Sequence, residues 1–158
     1  MQDLLAAAAH LGERLRTRGE TIAVAESSSG GLIAAALLAQ PGASAFFRGG
    51  AVVYTRQARE GLLGIAAADM HGLRSATEPY ALLLARRLRE RLDATWGLAE
   101  TGAAGPSGNG YGDPPGHSCL AISGPANAAR TLETGSADRV ANMRAFAAAA
   151  LALLGERL

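Results

Sequence analysis

Apolar residues at Leu4, Leu5, Ala8, Leu11 and Leu15 recur at the spacing of one helical face, which predicts an opening amphipathic helix ending near Arg18–Gly19. Thr21–Ala25 (TIAVA) predicts a short buried strand. It is followed by a turn over Glu26–Gly31 (ESSSGG) and a small-residue helix over Leu32–Ala39, stopped by Pro41–Gly42. After the Gly49–Gly50 pair, Ala51–Thr55 predicts a second strand and Arg56–Leu63 a short helix. Ala81, Leu84, Ala85, Leu88 and Leu92 form a helical stripe with Glu78–Pro79 in its first turn. A third strand is expected around Leu98–Thr101. His117–Ser123 and Ala129–Thr134 predict two more strands joined by a Gly124–Asn127 turn. Asp138 opens a last helix, with Met143, Phe146, Ala147, Ala150, Leu151 and Leu154 on one face. Helices alternating with short apolar strands predict a layered α/β domain, with ligands expected where strands end and helices begin.

Composition narrows the picture. A chain of 158 residues is one domain's worth of protein and buries about 70% of its unfolded surface without a staple. It is 49% apolar but only 4% aromatic, so the core is expected to be Ala, Leu, Ile and Val. A net charge of +1 gives no chain-wide electrostatic case for nucleic acid or an anionic membrane surface. All 15 basic residues are arginine. Without lysine there is no GxxxxGK[ST] phosphate loop, no Schiff-base lysine and no serine–lysine dyad. Cys119 is the one cysteine, which excludes an internal disulfide and a cysteine-rich zinc site. His10, His71 and His117 stand in separate elements without metal-ligand spacing, so neither a metal nor a cofactor is expected. The longest apolar run, Ala145–Leu154, is ten residues. It is too short to cross a bilayer, and residues 1–20 lack a signal-peptide pattern, so a cytoplasmic protein is expected.

Two segments stand out chemically. The Glu26–Gly31 turn joins a strand to a helix, where free N–H groups would favour an anion or a developing oxyanion. A serine N-cap with glycines easing the turn explains the same residues. It is not a GxSxG elbow, because no glycine precedes the serines. Gly102–Gly116 holds six glycines and three prolines in fifteen residues and predicts a loop, either functional or a disordered excursion. The basic stretch Arg86–Arg91 fits the solvated side of its helix.

Several segments together resemble the CinA C-terminal domain family, the nicotinamide-nucleotide amidases. They are the ESSSGG turn with its helix, the Pro41–Ala45 segment, and the Arg48-Gly49-Gly50 strand ending at Tyr54. His71-Gly72, Thr101-Gly102, Ala104-Gly105-Pro106, Asp138-Arg139, Asn142 and Arg144 follow in the same order. The resemblance covers nearly the whole chain, without the N-terminal domain of two-domain relatives. With the hydrophobic pattern it implies a single domain over residues 1–158, a three-layer α/β/α sandwich with a mixed, mostly parallel sheet. It further implies hydrolysis of the carboxamide of nicotinamide mononucleotide to nicotinate mononucleotide and ammonia, without a metal. The resemblance assigns catalysis to Ser44 as nucleophile with Tyr54 and Arg59. It assigns substrate binding to Ser27, Ser28, Ser29, Gly30, Gly31, Thr101, Gly102 and Arg139, with Arg139 on the phosphate. A small-molecule nucleotide is the implied substrate and a homodimer the implied assembly.

The departures are as informative. Arg59 stands where the family has lysine, Asp113 stands before Pro114 where the family loop has lysine, and the turn reads SSS for the usual SCT. A neutral lysine accepts a proton, whereas arginine stays charged and has no lone pair to offer. Arg59 is left to hold a negative charge or to favour Tyr54 as a tyrosinate base. The competing expectation is a catalytically impaired relative that binds a nucleotide as a sensor or subunit.

Overall fold

A computed structural model describes residues 1–158. Its elements are α1 (Gln2–Arg18), β1 (Ile22–Glu26), α2 (Leu32–Leu38), β2 (Phe47–Val52), α3 (Arg56–Leu63), α4 (Glu78–Arg91), β3 (Trp96–Ala103), β4 (His117–Ser123), β5 (Ala128–Glu133) and α5 (Arg139–Gly155). Two 3-10 turns, Ala43–Ala45 and Ala67–Met70, complete the set. The five strands form one mixed sheet in the order β2-β1-β3-β4-β5. β1 pairs in parallel with both β2 and β3, whereas β3–β4 and β4–β5 are antiparallel. Helices cover both faces, giving the three-layer α/β/α sandwich.

The two faces are packed differently because successive strand residues point to opposite sides. Ile22, Val24, Trp96, Leu98, Leu120 and Ile122 face one way into a core shared with α1, α2 and α5. Ala23, Ala25, Ala99, Cys119 and Ala121 face the other way, toward α4 and the segment after α3. Small strand residues let α4 lie directly on the backbone of β3. A Cβ on Gly97 would stand only 2.1 Å from the Ala85 carbonyl oxygen.

Local chemistry sets the element ends. Gly19 closes α1 at φ 64°, a left-handed conformation that costs glycine little. The side chains of Thr55, Thr77 and Asp138 cap α3, α4 and α5 by accepting from the N–H of Ala58, Tyr80 and Ala141. The clearest departure from expectation is β2, which runs from Phe47 to Val52 instead of Ala51–Thr55. Its register, Ile22 opposite Phe47 and Glu26 opposite Val52, draws the glycine pair inside the strand. A Cβ on Gly50 would meet the Ala34 methyl at 2.9 Å, so this glycine serves the packing of α2 and not a turn. Tyr54 therefore lies beyond the strand, on the link into α3. No helix is long and apolar enough to cross a membrane.

Candidate functional site

A cavity of about 680 Å³ opens at the C-terminal ends of β1 and β3, where an α/β sheet presents its ligands. Ser27, Tyr54, Arg59, Thr101 and Gly102 all line it, so five of the sequence candidates converge here. Ser27 follows the last residue of β1 and is half-buried. Thr101 is buried in β3 and its hydroxyl accepts from the N–H of Ala76 at 3.2 Å. Gly102 allows β3 and β4 to approach, since a Cβ there would stand 2.3 Å from the His117 carbonyl oxygen. Tyr54 is exposed, and its phenol oxygen accepts from Arg139 Nη2 at 3.2 Å. Arg139 also donates through Nη1 to the Gly105 carbonyl at 2.6 Å, tying α5 to the start of the glycine-rich loop.

The serine turn is built on two buried carboxyl groups. Glu100, on β3, accepts from the N–H of Ser27 and Ser29 and from the hydroxyls of Ser28, Ser29 and Ser118. Glu26, at the end of β1, accepts from the N–H of Gly31, Ile33 and Ala34, and stands 2.8 Å from the Ser29 oxygen, whose single proton lies between it and Glu100. The N–H groups that the sequence left open to a ligand anion or a serine cap are thus taken by the chain's own carboxyl. Glu26 caps α2 from the end of β1 by taking N–H groups that a helix N-terminus leaves without partners. Burial pushes the Glu26 carboxyl above the usual carboxylate range. The N–H groups of Ala34 and Ile33 and the Ser29 hydroxyl oppose this only in part, and nearby Glu100 adds to it. Ser28 and Ser29 face this frame, Gly30 and Gly31 turn the chain at φ 66° and 96°, and Ser27 is the serine of the turn that reaches the cavity.

Ser44 is not brought to this cavity. It sits exposed on the Ala43–Ala45 turn ahead of β2, where the Phe46 carbonyl accepts from the N–H of Ile22 at the start of β1. The five residues of β1 separate the two ends of the sheet by about 16 Å at 3.3 Å per residue.

Arg59 is 7% exposed, on the second turn of α3. Its guanidinium stands 5.9 Å from the Tyr80 ring centroid, and its Nε is buried without a hydrogen-bond partner. The glycine-rich loop is an ordered wall of the cavity: Asn109 and Tyr111 line it. Arg74 clamps the loop through both oxygens of Asp113, at 2.7 and 3.2 Å, with its guanidinium 5.1 Å from the Tyr111 ring centroid. The Arg74 hydrogen bonds hold the Asp113 carboxyl at about 2, helped by Asn109 and His117. Glu100, Tyr80, Asn109 and Tyr111 were not singled out by sequence. A lone carboxyl inside the apolar run of β3 was the one signal available for Glu100.

A family model described as the CinA C-terminal domain matches residues 5–158. A CinA-like protein of Anaeromyxobacter sp. (strain K) is 40% identical over 146 residues, covering 91% of this chain and 36% of that protein. A CinA-like protein of Synechococcus sp. (strain CC9902) is 45% identical over 108 residues, 67% of this chain and 25% of that protein. The chain spans about a quarter to a third of the length of these curated relatives. Among solved structures, a competence-damaged protein (CinA) superfamily protein from Escherichia coli matches with a TM-score of 0.91 and 28% identity. That match covers 99% of this chain and 92% of the other. A competence/damage inducible protein from Agrobacterium tumefaciens matches with a TM-score of 0.89 and 29% identity, over 98% and 94% of the two chains.

Proposed function

The chain belongs to the CinA C-terminal domain family, and from that premise we propose that it is an amide hydrolase of the nicotinamide-nucleotide amidase type, acting in the cavity at the C-terminal ends of β1 and β3. The observation that carries this reading is the convergence of Ser27, Tyr54, Arg59 and Thr101 on one cavity. Ser27 takes the nucleophile's part in place of Ser44, because a serine at the other end of the sheet cannot share a reaction centre with Tyr54 inside one chain.

In this reading the Ser27 oxygen attacks the carboxamide carbon while its proton passes to Tyr54 acting as the tyrosinate, whose oxygen Arg139 holds in place. The tetrahedral intermediate collapses, the C–N bond breaks, and the leaving nitrogen takes the proton to depart as ammonia. Water then attacks the acyl-serine ester, releasing the acid and restoring the hydroxyl. Arg59 takes no proton in either half, since its guanidinium has no lone pair to offer. It acts as a fixed cation and N–H donor.

The test is ammonia release from nicotinamide mononucleotide. Wild type releases ammonia, and Tyr54→Phe slows it by roughly 10²–10⁴-fold, the usual worth of general-base help. Undiminished turnover in Tyr54→Phe contradicts the assignment. Arg59 in the lysine position favours a second reading, a receptor that binds the nucleotide without turning it over; binding by a wild type that releases no ammonia would select it.

A further inference from the structure

Arg59 is the unusual feature of the cavity. A guanidinium is rarely buried without a carboxylate or carbonyl to receive its five N–H groups, because an unpaired buried charge is costly. Arg59 is 93% removed from solvent by its 7% exposure, takes part in no ion pair of the chain, and has a buried Nε without a partner. Tyr80 offers it only the face of a ring. The cavity it lines carries a second arginine, Arg56, and not one Asp or Glu. The other wall residues nearest in kind are apolar or neutral, among them Val53, Met70, Leu73 and Ala76. A cationic, carboxylate-free cavity with apolar walls is complementary to a small apolar body bearing an anionic oxygen group.

We infer that Arg59 is the counter-cation for a carboxylate of the ligand, so that the cavity holds the acid more tightly than the corresponding amide. The inference rests on the cavity of the proposed function but not on turnover there. A planar guanidinium fork matches a carboxylate with two parallel N–H donors, which a lysine ammonium in the same place does not. An amidase built this way retains its acid product. A receptor built this way answers to the acid.

Calorimetric titration of the whole chain with nicotinate mononucleotide, nicotinamide mononucleotide and inorganic phosphate tests it, alongside thermal unfolding of each variant. In wild type the acid binds on the order of tenfold or more tightly than the amide, as a charge-assisted pair predicts. Arg59→Gln brings the two nucleotides within about twofold of each other while unfolding no earlier than wild type, since it removes an unpaired buried charge. Arg59→Lys keeps part of the preference. Equal losses of both nucleotides and of phosphate in Arg59→Gln would place the phosphate on Arg59 instead of the carboxylate and overturn the inference. Unchanged affinity for all three probes in Arg59→Gln overturns it too, as does an acid no tighter than its amide in wild type. Should Arg59→Gln fail to fold, the wild-type ratio of acid to amide and its change in Arg59→Lys decide the question. Ammonia release without any Arg59-dependent anion binding would leave the amidase reading standing and this one refuted; anion binding without ammonia release would do the reverse.

Discussion

Ser27 and Ser44 lie at opposite ends of the same pair of parallel strands, and little else about them is alike. Ser27 opens a turn whose backbone and hydroxyls are fixed by Glu100 and Glu26, both about fully buried, and its own side chain reaches a cavity. Ser44 stands exposed on a single 3-10 turn, and no side chain caps that turn. A nucleophile needs a fixed position beside its proton acceptor, so the surroundings, more than the residue type, separate the two serines. Two buried carboxyl groups that do not line the cavity make the difference.

Removing that frame should have the largest effect. Glu100→Ala strips acceptors from two backbone N–H groups and three hydroxyls at once and is expected to cost about 3–5 kcal/mol in denaturant unfolding. A loss below about 1 kcal/mol would mean the turn does not depend on it.

Glu26 gives a smaller effect with a defined sign. Its carboxyl holds its proton more tightly folded than unfolded, so its contribution to stability is full below the ordinary glutamate value and falls as pH rises through its raised folded value. Glu26→Gln should flatten that decline above pH 4.5, at an expense of about 1–2 kcal/mol for the imperfect cap. A decline of the same slope in Glu26→Gln would assign it to another group.

The smallest effect belongs to the far wall. Arg74→Ala releases Asp113 and the glycine-rich loop, and is expected to raise KM by about threefold to tenfold with kcat little changed, as loss of a ligand-positioning wall does. In wild type the Arg74–Asp113 pair contributes stability above the ordinary aspartate value, which is lost as pH falls toward about 2. Hydrogen exchange across residues 102–116 under both conditions checks the two together.

Much of this was legible in the chain. The stripes of α1, α4 and α5, the helix starts marked by Glu78–Pro79 and Asp138, and the layered α/β class follow from apolar spacing and turn chemistry alone. β2 was misplaced because a Gly–Gly pair reads locally as a break, and only its packing under α2 explains why glycine is needed there. Within the site, the family resemblance is what singled out Ser27, Tyr54, Arg59, Thr101 and Gly102, and all five line the cavity. Nothing in it tells at which end of the sheet Ser44 falls, since that depends on the direction of β2 beside β1. Glu100 was hidden for a related reason: its partners are Ser28 and Ser29, 72 and 71 residues away, and local spacing carries no trace of them.

The most direct test sets the two serines side by side in one assay of ammonia release from nicotinamide mononucleotide. Ser27→Ala is expected to lose turnover by on the order of 10³-fold or more, as removal of a nucleophile does, while Ser44→Ala stays within about threefold of wild type and within about 0.5 kcal/mol of its stability. A silent Ser44→Ala protein beside an active Ser27→Ala protein would contradict the account and move the chemistry to the other end of the sheet.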